Sequence, residues 1–140
     1  MIQRIQSVWL LLASIFAFAT LQFSFYSGNK MINEVKTFVP TNGLSGLLLT
    51  VTTILVAVIS LVSIFLYKNR KQQLWFSIAA ICISLLNIFL CFRKTFTYIA
   101  NEGSMDLSSI IYFLIPALLL FAAIGIYKDE KLVKSMDRLR

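Results

Sequence analysis

The sequence predicts an all-α polytopic membrane protein: an up-down bundle of four transmembrane helices, forming one domain over residues 1–140. Three observations predict it. Of the 140 residues, 59% are hydrophobic and 14% charged, whereas a soluble domain carries about a quarter charged residues. The charges cluster, which leaves four uncharged stretches at Val8–Tyr26, Leu44–Tyr67, Leu74–Phe92 and Leu107–Tyr127. Each is close to the roughly 20 residues that a helix needs to cross a bilayer core. None of the stretches carries a polar stripe broad enough for the outer face of a soluble bundle. Barrel strands are shorter than these segments and alternate strictly, which these do not.

The first span, Val8–Tyr26, follows Arg4 and continues through "TLQFSFY". "AFA" at Ala17–Ala19 has the small-x-small form of a signal-peptide cleavage site. A cleaved leader is therefore the alternative to a retained helix, and the long apolar run favours the helix. "SGNKMINEVKTFVPTNG" reads as a loop from its Gly, Asn and Pro, with a short strand or turn around "EVKTFV". The second span, Leu44–Tyr67, leads through the tight connector "KNRKQQ" into the third, Leu74–Phe92. A short loop around "TYIANEGSMD" precedes the fourth, Leu107–Tyr127, where Pro116 lacks a backbone donor and predicts a kink. Short connections make sequence neighbours antiparallel neighbours. A charged tail, 128–140, closes the chain.

"RIQSVW" at Arg4–Trp9 and "RKQQLW" at Arg70–Trp75 share the pattern R-x-Q-x-x-W. They are either traces of a duplicated hairpin or the ordinary gathering of Arg, Lys and Trp at a membrane interface. The second reading is the simpler.

Charge sets the orientation, because Lys and Arg accumulate beside spans on the cytoplasmic side. Nine basic residues fall on the side of the termini: Arg4, Lys68, Arg70, Lys71, Lys128, Lys131, Lys134, Arg138 and Arg140. Four fall on the other: Lys30, Lys36, Arg93 and Lys94. Both termini are expected in the cytoplasm, with outer loops around Asn33 and Asn101. Lys68, Arg70, Lys71, Lys128 and Lys131 are candidates for contact with lipid headgroups. Arg93 and Lys94 run against the rule, and either snorkel to the far headgroups or bind something there.

Small and hydroxylated residues recur at spacings of three and four, hence on one helical face. The third span has Ser77, Ala80, Ser84, Asn87 and Cys91; the second has Gly46, Thr50, Thr53, Ala57 and Ser60; the first has Ala13, Ala17, Thr20 and Ser24. Such seams let helix backbones approach closely in lipid, or else they line a polar passage. Close packing is the preferred reading, and Ser77, Ala80, Ser84, Asn87, Gly46, Thr53 and Ala57 are its candidate residues. The carboxamide of Asn87 is expected to find a partner across a helix interface.

What is missing narrows the chemistry. No ionisable residue lies deep in a predicted span, and proton-coupled transporters and voltage sensors need one there. The chain has no His, which removes His-based acid–base catalysis and His-ligated metal sites. Cys82 and Cys91 stand about 13 Å apart by helical rise, too far to bridge. Phosphate loops, nucleophile elbows, metal clusters and nucleic-acid motifs are lacking. No catalytic, metal-binding or cofactor-binding residue is assigned, and no cofactor is expected. Topology accounts for the net charge of +7 without nucleic acid.

"MIQRIQSVWLLLAS", "FSFYSG", "LYKNRKQQ" and "KDEKLVKSMDRLR" together resemble an uncharacterised family of small four-span bacterial membrane proteins, a domain of unknown function. The resemblance covers the whole chain and is most specific at its ends. It implies a bacterial inner-membrane location and four spans, and it brings no activity, cofactor or site residue. In the tail, Leu132, Val133, Met136 and Leu139 fall near one helical face. A helix continuing from the fourth span would lay Leu132, Met136 and Leu139 on lipid, on its own loop, or on a docking partner.

Three function classes follow. The first is a non-enzymatic accessory or scaffold protein that binds another membrane protein or lipid. The second is a small passive channel or facilitator, as a dimer, since four spans barely enclose a pore; a homo-oligomer or a membrane-protein partner is the expected company besides the lipid bilayer. An integral-membrane enzyme is the third and has the least support.

Overall fold

A computed structural model describes residues 3–32, 34–99 and 102–137. The first helix, α1, covers Gln3–Ala19 and stops short of the expected end at Tyr26. Its last carbonyls accept from donors in the turn just beyond it, and that turn is tied to other elements. The Thr20 hydroxyl donates to the Ala17 carbonyl at 2.7 Å. The Thr20 carbonyl accepts from the Gly43 N–H at 2.8 Å and from the Tyr112 hydroxyl at 2.9 Å. With these groups satisfied from outside, the chain leaves the helix through a tight turn and enters a strand. Phe25, fully buried, plugs the turn and packs edge-on against Phe92 and Tyr112, each at 5.2 Å.

An all-α architecture is corrected here by a three-stranded antiparallel sheet of order β2-β1-β3. Strand β1 (Tyr26–Ile32) and β2 (Val35–Thr41) form a hairpin registered from Tyr26↔Thr41 to Ile32↔Val35. Its two-residue turn includes Glu34 at φ 66°, the left-handed backbone that such turns require. Pro40 is tolerated because β2 is an edge strand. Strand β3 (Gly103–Met105) arrives from the connection between the last two helices and pairs with β1. The Gly28↔Gly103 pair permits this approach, since a Cβ on Gly28 would lie 2.6 Å from the Gly103 Cα. The sheet thus ties both long connections into one cap. The expected outer-loop positions Asn33 and Asn101 lie outside the described residues.

Helix α2 (Leu47–Phe65) runs through a 3-10 turn, Leu66–Lys68, into α3 (Arg70–Thr95). Helix α4 (Ser109–Asp137) contains Pro116 and continues well beyond Tyr127. Each helix packs on its sequence neighbours and α4 closes on α1, so the four make a square ring. The core is built from Leu10, Val56, Ile115, Leu118 and Leu119 together with five alanines, Ala13, Ala17, Ala57, Ala80 and Ala122, that let the helices draw close. Three helical segments are long and apolar enough to cross a membrane: Leu47–Phe65, Arg70–Thr95 and Ser109–Val133. The apolar part of α1, Ile5–Ala19, is shorter, so length and composition support three candidate spans where four were expected.

Candidate functional site: a cleft at the open end of the bundle

Ser77, Ala80, Ser84, Asn87 and Cys91 are all buried along α3. Opposite them on α2, Thr53, Ala57 and Ser60 are buried, while Thr50 and Gly46 at its start are half-buried. The Asn87 amide donates to the Thr53 hydroxyl at 2.7 Å and to the Thr52 hydroxyl at 3.1 Å. Both threonines in turn donate to carbonyls of their own helix. On α1, Ser14 donates across to the Ala57 carbonyl at 3.1 Å. The cavity at the centre of this layer, lined by Thr53, Ser84, Asn87 and Tyr112 among others, measures about 10 Å³, at the lower limit for one water. The middle of the bundle is therefore filled, and its polar groups bond to one another.

At the sheet end the polar groups are equally well paired. Asp106 accepts from the hydroxyls of Ser24 and Ser27, the latter at 2.6 Å. Glu102 accepts from the Asn29 amide at 3.1 Å and from the Lys36 ammonium at 2.5 Å. The Lys36 hydrogen bond first, then that of Asn29, holds the Glu102 carboxyl below the usual carboxylate range. The Tyr98 hydroxyl donates to the Val39 carbonyl at 2.9 Å. Lys94 is turned back onto the Ser45 carbonyl at the head of α2, so one of the two cations that broke the charge asymmetry closes a loop.

The opposite end is different. A cleft of about 440 Å³ opens there between all four helices. Its polar lining comes from Gln6 and Ser7 on α1, Arg70 and Gln73 on α3, and Asp129 on α4; Ile64, Phe65 and Ile126 supply apolar wall. Gln6, Gln73 and Asp129 are only 5%, 4% and 7% exposed. The Gln6 Nε2 is buried without a hydrogen-bond partner among the described residues. Arg70 donates through Nη1 to the backbone carbonyl of Asp129 at 3.1 Å, and among the described residues no ion pair forms to the Asp129 carboxylate. Gly125 makes this arrangement possible, because a Cβ there would meet the Gln6 Cγ at 2.8 Å.

The model of the family described as Domain of unknown function (DUF4293) matches residues 2–139. The chain belongs to this family. No curated protein matches the chain.

Of the residues singled out as headgroup contacts, Arg70 is half-buried in the cleft, whereas Lys71, Lys128 and Lys131 are exposed. The side chain of Lys68 lies outside the described residues. In the tail, Leu132 is exposed, and the Met136 side chain and Leu139 lie outside the described residues. Sequence reasoning missed Gln6, Gln73 and Asp129. The two R-x-Q-x-x-W motifs were the available signal, since both converge on the cleft. Their burial differs by one position, however: Gln6 is buried, but its counterpart Gln72 is exposed and the neighbouring Gln73 is the buried one. Asp129 was masked by the charged tail around it.

Proposed function

We propose that this chain is a four-span integral protein of a bacterial inner membrane, with both termini cytoplasmic. It acts without catalysis, as an accessory or scaffold subunit that binds a membrane partner or lipid. The observation that carries the membrane reading is a reversed distribution of polarity. Ser14, Ser60, Ser77, Ser84, Thr53 and Asn87 are inside, while Val51, Leu55, Val58, Leu85, Leu86, Phe89, Leu120 and Phe121 are exposed. Water would penalise so continuous an apolar surface; hydrocarbon accepts it and favours small and polar residues between helices. Helix α1 supports the fourth span through its packing on α2 and α4 along the ring. Its 17 residues cover about 25 Å, a modest mismatch with a core of roughly 30 Å that local thinning accommodates.

The filled centre favours a binding role over a passive channel within one copy. Two measurements test the proposal. In a background lacking Cys82 and Cys91, Val35→Cys should react with an impermeant thiol reagent in intact cells, and Asn69→Cys should not; the reverse pattern would overturn the topology. Purification from native membranes should retain a stoichiometric protein or lipid. Ion flux through the purified protein in liposomes would instead establish the channel.

A further inference from the structure

The cleft poses a specific chemical problem. Its volume of about 440 Å³ far exceeds the roughly 10–15 Å³ that one water needs, so it has room for a polyatomic ligand. Gln6 brings an amide N–H without a partner among the described residues and closed off from solvent, a donor that meets an acceptor in the cleft once its side chain turns toward it. Arg70 brings a cation whose recorded bond is to a backbone carbonyl. Both favour an anion. A simple anion, however, would sit beside the Asp129 carboxylate, which is nine-tenths buried and has no ion pair among the described residues. A simple cation would satisfy Asp129 and leave the Gln6 donor unanswered beside the Arg70 charge. A ligand with both signs of charge answers all three groups at once. Gln73, buried in the same wall, adds an amide that can donate or accept.

We propose that this cleft binds a phosphoethanolamine group, with its ammonium on the Asp129 carboxylate and its phosphate between the Arg70 guanidinium and the Gln6 amide. Charge-assisted hydrogen bonds of this kind are about twice as strong as neutral ones. The inference rests on the membrane reading for one of its two sources. If the bundle spans the bilayer with its termini inside, the cleft lies where inner-leaflet headgroups lie, and Ile64 and Phe65 offer apolar surface to the attached chains. The other source is the free zwitterion in the cytoplasm.

The test uses the full chain in detergent, followed by native mass spectrometry and thermal unfolding. The probes are phosphatidylethanolamine, phosphatidylglycerol, phosphatidylcholine and soluble O-phosphoethanolamine. Phosphatidylethanolamine should bind and raise the unfolding midpoint. Phosphatidylglycerol, which lacks the ammonium, and phosphatidylcholine, whose quaternary nitrogen has no N–H, should bind at least about ten-fold more weakly. Asp129→Asn should erase that preference. It keeps the backbone carbonyl that Arg70 uses, so the fold should survive. Gln6→Met, of similar size but without the donor, should weaken all phosphate-bearing probes several-fold. Competition by O-phosphoethanolamine assigns the site to the soluble zwitterion, and its failure to compete assigns the site to the lipid headgroup. Equal binding of the three lipids with no effect of O-phosphoethanolamine would overturn the proposal, as would an Asp129→Asn variant that keeps the preference. None of these readouts depends on orientation in a cell, so the thiol labelling can fail without them, and they without it.

Discussion

Asp106 at the sheet end and Asp129 at the open end are carboxylates at opposite ends of the bundle, yet they are treated differently. Asp106 accepts from two serine hydroxyls. Asp129 is buried beside a cleft, and the nearby guanidinium bonds to its backbone carbonyl. The same contrast separates Asn87, whose amide donates to two threonines, from Gln6, whose Nε2 has no partner among the described residues. Burying a polar group costs free energy unless it is hydrogen-bonded. The satisfied end and middle therefore read as structure. The unsatisfied end stores a cost that a bound ligand would relieve, and this is why the candidate site is placed there.

The largest expected effect comes from the same substitution made at the two ends. Gly28→Ala sets a Cβ against backbone, 2.6 Å from the Gly103 Cα and 2.9 Å from the Glu102 carbonyl. Backbone held in a sheet cannot retreat, so stability in detergent should fall toward the upper end of roughly 1–3 kcal/mol. Gly125→Ala meets only the Gln6 side chain. Moving that chain off its rotamer costs roughly 0.5–1.5 kcal/mol, which the gain in helix propensity of about 1 kcal/mol offsets. Denaturation midpoints check both, and equal losses would erase the contrast.

Next come the carboxylates. Asp106→Ala deprives Ser24 and Ser27 of their acceptor and should cost about 2 kcal/mol. Asp129→Asn removes a buried charge without an ion pair among the described residues and should leave the unliganded protein within about 0.5 kcal/mol, or more stable. A large loss from Asp129→Asn would show that the open end is as structural as the sheet end.

Asn87→Leu should cost about 1 kcal/mol, measured by the same midpoints. The loss stays modest because the Thr52 and Thr53 hydroxyls keep their bonds to the Leu49 carbonyl.

The smallest effect is acid sensitivity at the sheet end. Because Glu102 has a lowered folded-state pKa, through Lys36 first and Asn29 second, its stabilisation is present above the ordinary value of 4.5. It disappears as the pH falls through the depressed value. The small gap in thermal midpoint between the wild-type protein and Glu102→Gln should close over that range. A gap that persists in strong acid would mean the carboxyl is not what holds β3.

The sequence by itself determined what depends on local pattern. Hydrophobic length marked α2, α3 and α4, and the three-and-four spacing marked the buried face of α3 down to Asn87, because a helix places those positions on one side whatever surrounds it. The absence of Gly and Pro after Tyr127 let α4 run on into the tail. Tertiary structure decided whatever depends on a distant partner. Helix α1 ends at Ala19 because Gly43 and Tyr112 claim the Thr20 carbonyl. The sheet exists because β3, more than sixty residues away along the chain, supplies the third strand. Gln6, Arg70, Gln73 and Asp129 form one cleft because the ring of helices brings together positions that look in sequence like interface and tail charge. A residue's own neighbours report the face it lies on, but not which remote group will meet it there or whether any will.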